Sequence, residues 1–277
     1  MQSTKLTEAH NWLGTVPTMV DVTHSELQTE GLFNYNYSIT NNTYKAAIEV
    51  QRAVFEDDSI GLLTPRIAQL AQEAVRHPRQ LLLTLPVTNG TAFDGAAFIA
   101  DTRVVGRSAN IDNNMASGGS GTTLAGFQAD LGTARSTMRL FQDDQGRPMN
   151  NVGNVIMVPP GLEQLAYQAL NISFPAATPN VGPAIPASVG FSGGALYASG
   201  YEVIVNPFLT DVNDWYLLCT TQAAKPFIYQ TRVAPSLEGV TTPTTESGVL
   251  RDRFIYTVRA RYAVGYGDPR YCIRIVN

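Results

Sequence analysis

Residues 33–50 alternate apolar and polar side chains over a long stretch, and a period of two commits a backbone to extended strand. Phe33, Tyr35, Tyr37 and Ile39 make one run; Tyr44, Ala46, Ile48 and Val50 make the next. Thr40-Asn41-Asn42-Thr43 separates them, and asparagine tolerates the positive φ of a tight hairpin turn. The pattern predicts a long β-hairpin with Asn41 and Asn42 at a polar tip. A two-stranded ribbon is marginal alone in water, and one with so apolar a face needs a covering partner.

What else the chain can build follows from its composition. At 277 residues, 44% hydrophobic and net charge −4, it can bury a core large enough to offset the entropy of ordering, which excludes disorder. Apolar runs such as Leu81-Leu82-Leu83 fall far short of the roughly 20 residues of a membrane span. Residues 1–30 hold no apolar stretch of the secretory kind, so maturation in the cytoplasm is expected. Charged residues are 15%, against about 25% in ordinary soluble domains. Only Lys5, Lys45 and Lys225 are lysines, the other basic residues being arginine, which protein contacts favour. That balance leans towards a self-contacting protein. Cys219 and Cys272 form no spacing motif and read as buried reduced thiols.

Along the chain, residues 1–30 read as an extended arm anchored by Trp12, within Trp12-Leu13-Gly14 and ahead of Pro17. After the hairpin, Phe55-Glu56-Asp57-Asp58-Ser59 suits a helix start, and Thr64-Pro65 gives a second. A helix is expected to about Leu85, with Pro78 bending or breaking it. Residues 86–121 are rich in Gly, Asn, Asp and Ser, and a loop of that length usually has a task. Helix follows over 124–141, a turn at 143–146, a buried strand over 152–158 and a proline-entered helix over 159–170. Residues 173–200 read as an irregular Pro/Ala/Gly/Ser loop, and strands at 201–205, 215–219, 227–233, 254–262 and 271–276 complete an α+β chain without repeats.

No motif carries catalysis. Gly190-Phe191-Ser192-Gly193-Gly194 fits the nucleophile elbow of serine hydrolases, yet His10, His24 and His77 all precede it, and that fold needs a downstream histidine. Residues 118–123 lack the lysine of a phosphate-binding loop. Metal-ligand spacings are absent; Asp94, Asp101 and Asp112 read as solvated loop carboxylates rather than cation ligands. The sequons at Asn41, Asn89 and Asn171 matter only in a secreted protein. Tyr256-Thr257-Val258-Arg259-Ala260-Arg261-Tyr262 reads as a strand with one buried face in preference to a base-stacking platform. No catalytic residue, cofactor or metal ion is assigned.

In order, these pieces resemble the Mu-like major head subunit family of bacteriophage capsid proteins. The resemblance rests on Trp12-Leu13-Gly14 with Pro17, Phe55-Glu56-Asp57-Asp58, His77-Pro78, and Phe93-Asp94-Gly95 with Phe98. It continues through Val158-Pro159-Pro160, Leu170-Asn171, Trp215-Tyr216-Leu217-Leu218, Lys225-Pro226-Phe227-Ile228-Tyr229-Gln230 and Gly265-Tyr266-Gly267, so that it spans nearly the whole chain. Arg79-Gln80 stands where such proteins commonly carry an acidic residue, and Asp268-Pro269 replaces an aromatic pair. The resemblance implies a Hong Kong 97-type α+β fold: an N-terminal arm (1–30), an extended hairpin loop (31–55), a peripheral domain with a long spine helix (56–125 and 225–277) and an axial domain (126–224). It further implies a major capsid protein assembled in the host cytoplasm into hexamers and pentamers of an icosahedral virion. Such a head encloses double-stranded DNA without sequence preference and is helped by separate scaffolding, portal and decoration proteins, with no membrane. On that reading Phe33, Tyr35, Tyr37, Ile39, Asn41, Asn42, Tyr44, Ile48 and Val50 contact the neighbouring subunit. An encapsulin-like shell enclosing enzyme cargo is the alternative, and a hydrolase using Ser192 the more distant one.

Overall fold

The structure is a computed structural model that describes residues 1–16, 34–57, 61, 63–118, 121–170, 200–240 and 252–277. The chain divides into two compact units, one of residues 1–10, 36–85 and 227–265, the other of 11–35, 86–226 and 266–277. The division falls at 85 and 265, so 86–125 and 266–277 join the unit that holds 126–224, not the unit that holds the long helix.

The first unit is built on a three-stranded sheet. Strand β1 (Thr7–Leu13) pairs with β2 (Asn34–Thr40), and β3 (Asn42–Gln51) enters a separate sheet. A five-residue helix α1 (Arg52–Glu56) follows, then α2 (Leu63–Thr88). Late in the chain come two strands of 14 residues, β8 (Phe227–Val240) and β9 (Arg253–Tyr266), giving the order β3-β9-β8. β3 runs antiparallel to β9 from Asn42↔Tyr262 to Gln51↔Arg253. The chain's first residues extend the edge of β8: Gln2 bridges Thr231 in parallel, and the Ser3 amide donates to the Thr231 carbonyl at 2.8 Å.

The second unit centres on a five-stranded sheet. Its strands are β4 (Asn114–Ala116), β5 (Val155–Val158), β6 (Glu202–Val205), β7 (Trp215–Leu218) and β10 (Cys272–Val276), in the order β4-β10-β7-β5-β6. All four residues of β5 and of β7 are buried, which explains their unbroken apolar runs. Helix α3 (Leu124–Leu140) starts where the Thr123 side chain accepts from the Gly126 amide at 3.2 Å. Its buried residues Phe127, Leu131, Ala134 and Met138 recur at helical spacing and join the sheet core, Phe127 stacking on Trp215 at 4.5 Å. Pro160 opens a 3₁₀ turn into α4 (Glu163–Leu170).

Two expectations need correction. The hairpin across Thr40–Asn41–Asn42–Thr43 does not form, because β2 pairs with β1 and β3 with β9. Alternation identifies strands but not their partners, and neither Asn41 nor Asn42 has positive φ. The segment expected to open a helix at Phe55 instead closes α1, whose last cap is Asp57. The helix expected to about Leu85 is found: α2 runs through Pro78 and Pro86 to Thr88 with Leu83, Leu85 and Pro86 buried, and burial of that face outweighs the backbone bonds the prolines lose.

The loop after α2 is packed, not solvated. Phe98, Val105 and Ile111 are buried, and asparagine side chains take the place of a ladder. Asn89 exchanges two bonds with the backbone of Ile99, at 2.7 and 3.0 Å. Asn113, fully buried, accepts from the Ala100 amide and donates to the carbonyls of Phe98 and Pro269.

Candidate assembly surface

Of the nine residues expected at a subunit contact, seven are placed by two different strands, and Asn41 lies between those strands. Phe33 lies outside the described residues. In β2 and β3, Tyr35, Tyr37, Tyr44, Ile48 and Val50 are half-buried and Ile39 is buried, each alternating with an exposed neighbour. The cover comes from the same chain. Tyr44 stacks on Tyr262 of β9 at 4.6 Å and tilts against His77 of α2 at 4.7 Å. His77 Nδ1 lies 2.5 Å from the Tyr262 hydroxyl. Burial, with Tyr44 and Tyr229 beside it, pushes the Tyr262 hydroxyl up to about 12. Around these rings runs a cavity of about 190 Å³ lined by Ala74, Val258 and Ala260. Tyr35 meets Phe93 edge-on at 5.3 Å.

Asn41 is the corner between β2 and β3. It is 3% exposed, where a polar tip was expected. Its amide group donates to Ser3 Oγ at 2.7 Å and to the Lys5 carbonyl at 2.9 Å, and it accepts from Gln230 Nε2 at 3.1 Å. Gln230, fully buried, also donates to the Ile39 carbonyl and lies 3.0 Å from His10 Nε2. Asn42 is exposed. Gly265 leaves room for this corner: a Cβ there would stand 2.5 Å from Ile39 Cδ1.

The opposite face of the β3–β9 sheet is charged. Lys45 stands directly across from Arg259 and Thr43 across from Arg261, while Arg253 pairs with Glu49 at 2.9 Å.

In the second unit the N-terminal segment is tied down just before residue 17. The Thr15 amide and hydroxyl donate to the Asp144 carboxylate, and Arg147 donates to the Val16 carbonyl at 3.2 Å. Arg147 is itself held by Asp143 at 2.9 Å. Burial alone would raise the Asp143 carboxyl, but bonds from the Arg147 backbone and guanidinium outweigh it and hold it below its ordinary range. Trp12 lies in β1, its side chain outside the described residues.

The loop carboxylates all have protein partners: Asp94 pairs with buried Arg103 at 2.7 Å, Asp101 accepts from Asn114, and Asp112 caps the Asn114 amide. Burial lowers Arg103, against the pull of Asp94. Cys219 and Cys272 are buried free thiols, Cys219 Sγ lying 3.5 Å from Thr221 Oγ1, and burial pushes the Cys272 thiol well up. The Ser192 motif and the sequon at Asn171 lie outside the described residues. The arrangement is one of packed rings, buried amides and ion pairs, suited to holding surfaces together.

A family model described as phage capsid protein matches residues 36–275. The chain belongs to the phage capsid protein family. The Mu-like prophage FluMu major head subunit of Haemophilus influenzae is 25% identical over 273 residues, covering 96% of this chain and 60% of that protein. The major capsid protein of Escherichia phage Mu is 22% identical over 243 residues, covering 62% of this chain and 79% of that one. Among solved structures, the bacteriophage JBD30 capsid superposes with a TM-score of 0.58 at 11% identity, over 99% of this chain and 61% of that chain. The phage capsid family member described here therefore spans about 60% of the length of its Haemophilus relative, and it shares the mixed helix-and-sheet fold of bacteriophage capsid subunits.

Sequence reasoning missed the buried amides Asn41 and Gln230 of this capsid-family chain. An asparagine pair between strands reads as a turn, and only the position of β8 shows what Asn41 bonds to. The Lys45–Arg259 opposition was equally hidden, since it exists only once the β3–β9 register is known.

Proposed function

We propose that this chain is the major capsid protein of a tailed bacteriophage, many copies of which self-assemble into an icosahedral head enclosing double-stranded DNA. The observation that carries this reading is the family match over residues 36–275, together with relatives named as a major head subunit and a major capsid protein. On this reading residues 1–30 serve as the N-terminal arm and 31–55 as the extended loop. The unit holding α2 and the β3-β9-β8 sheet is the peripheral domain, with α2 as its spine, and the five-stranded unit is the axial domain. Hexamers and pentamers ask one chain to fit two environments. A densely buried sheet unit keeps its shape, while long half-covered strands offer contacts that adjust. Scaffolding, portal and decoration proteins and the packaged DNA are the further partners of this reading. Its work is done at interfaces, without a catalytic centre.

Electron microscopy of particles purified from cells producing the phage tests the proposal. The expected result is heads filled with nuclease-protected DNA, with this chain as the main shell protein. A shell of this chain filled with protein and free of DNA would replace the reading with an encapsulin-like compartment. Loss of a hydrolytic activity on Ser192→Ala would point to the enzyme reading.

A further inference from the structure

The cavity beside Tyr44 lies within the first unit, between α2 and the β3–β9 sheet, and its lining favours one kind of ligand. Three rings meet there: Tyr44 stacks on Tyr262 at 4.6 Å, and His77 tilts against Tyr44 at 4.7 Å. Ala46, Ala74 and Ala260 also line the space and are too short to fill it. Glu73, one helical turn before His77, is the one carboxylate among the described residues of the lining. Lys45 borders the cavity too, but with Tyr44 facing α2 the alternation of β3 turns the Lys45 side chain to the other face, across from Arg259. The Arg76 guanidinium stands 3.9 Å from Glu73 with its side chain 75% exposed, a surface pair that holds the carboxylate weakly. The charge of Glu73 reaches the rings, adding to burial and to Tyr44 and Tyr229 in raising the Tyr262 hydroxyl. Electron-rich ring faces beside a weakly held carboxylate attract a cation and repel an anion. A space of about 190 Å³ admits one long side chain and falls short of the roughly 300–1,000 Å³ of small-molecule pockets.

We propose that this cavity is a socket for an arginine side chain of a second copy of the chain, an inference that rests on the capsid reading, which sets copies side by side. The guanidinium stacks on the tyrosine rings and donates to Glu73, while its apolar stem packs on the alanines. Arginine suits the socket better than lysine, because its planar, weakly hydrated head loses less on leaving water and can stack and hydrogen-bond at once. The chain is supplied for this, since all but three of its 19 basic residues are arginine. A socket on one copy filled by a side chain of another is a heterologous contact, and such contacts close into rings.

The test labels the arginines of the full chain with phenylglyoxal, in unassembled subunits and in shells, and locates the label by mass spectrometry. Wild-type shells should protect an arginine that subunits leave open. Ala74→Leu, which fills the cavity and keeps its rings and charge, should return that arginine to labelling and lower shell yield roughly tenfold or more, with circular dichroism unchanged. Glu73→Gln should act in the same direction and Glu73→Lys more strongly, since both spare the cavity and alter only the charge at its rim. A variant that forms no shell alone is labelled after co-assembly with wild-type chain. Protection already present in subunits would put an arginine of the same chain in the socket and overturn the proposal. So would a folded Ala74→Leu chain whose shells form and label as wild type does. Should Ala74→Leu unfold the chain, the two Glu73 variants decide, and normal yield and labelling from Glu73→Lys would rule out a cation. Release of the arginine by Ala74→Leu but by neither Glu73 variant would make the cavity an apolar contact and the proposal wrong. A wild-type chain that forms no shell in its phage would instead defeat the capsid reading itself.

Discussion

The two units of this chain use strands of very different length for different ends. In the five-stranded unit, β5 and β7 are four residues long and buried throughout, and Trp215 is closed between strand and helix by Phe127. In the three-stranded unit, β8 and β9 run for 14 residues each, yet beyond Val233 nearly every residue of β8 is exposed. Leu237 there is 48% exposed. Short buried strands are completed by their own chain. Long alternating strands cover one face and leave the other, and the far end, for something else. On the capsid reading we propose that the first unit carries the assembly contacts and the second supplies shape.

The largest effect should come from the second unit. Trp215→Ala removes a fully buried ring and its stacked partner contact, and should cost about 3–5 kcal/mol, read as a drop in the melting temperature of the full chain or as loss of soluble protein. A loss no larger than that of a half-buried residue such as Tyr44→Ala would break the contrast between the units.

Next comes the buried corner of the first unit. Asn41→Ala leaves Gln230 Nε2 with one acceptor fewer and takes one donor each from Ser3 Oγ and the Lys5 carbonyl, and should cost roughly 1–3 kcal/mol in chemical denaturation. A negligible cost would mean that the corner is held by strand pairing alone, and the first unit would be more self-sufficient than its exposed strands suggest.

How much of this was legible depended on whether the information was local. Helix α3 and strands β5, β7 and β10 fall within one or two residues of their expected bounds at one or both ends, because buried helical spacing and short apolar runs are properties of neighbouring residues. β2 and β3 were equally legible as strands. Their partners were not, since Asn41 answers to Ser3 and Gln230, 38 and 189 positions away. Helix α2 was legible through Pro78, because the apolar spacing on either side of the proline is local too. The basic face required a register that no periodicity encodes.

Acid offers a smaller test, directed at the second unit. Asp143 has its carboxyl held below the ordinary range, so it contributes stability above that range, and this is lost as pH falls through its folded value. Acid titration of the melting temperature should steepen below the usual carboxylate range, and Asp143→Asn should flatten part of that slope while leaving Lys45 and Arg259 untouched. An unchanged slope would mean that the Arg147 bonds are replaced by water at no cost.

The smallest effect on folding should come from the far end of β8, and it sharpens the contrast most. Leu237 lies where the strand carries little of its own unit's core, so Leu237→Ser should change the stability of the isolated chain by no more than about 0.5 kcal/mol. If the exposed end of the strand is surface kept for a neighbour, the same substitution should lower shell yield although the fold is unchanged. Paired measurements of melting temperature and particle yield separate the two effects. A matched control is Leu140→Ser, which changes a leucine 69% exposed at the end of α3 in the self-contained unit and should move neither quantity much. Equal particle yields from the two variants would show that exposure on a long strand is no more functional than exposure on a helix end, and strand length would lose its value as a marker of interface. A drop confined to Leu237→Ser would place assembly in the strands that the subunit leaves uncovered.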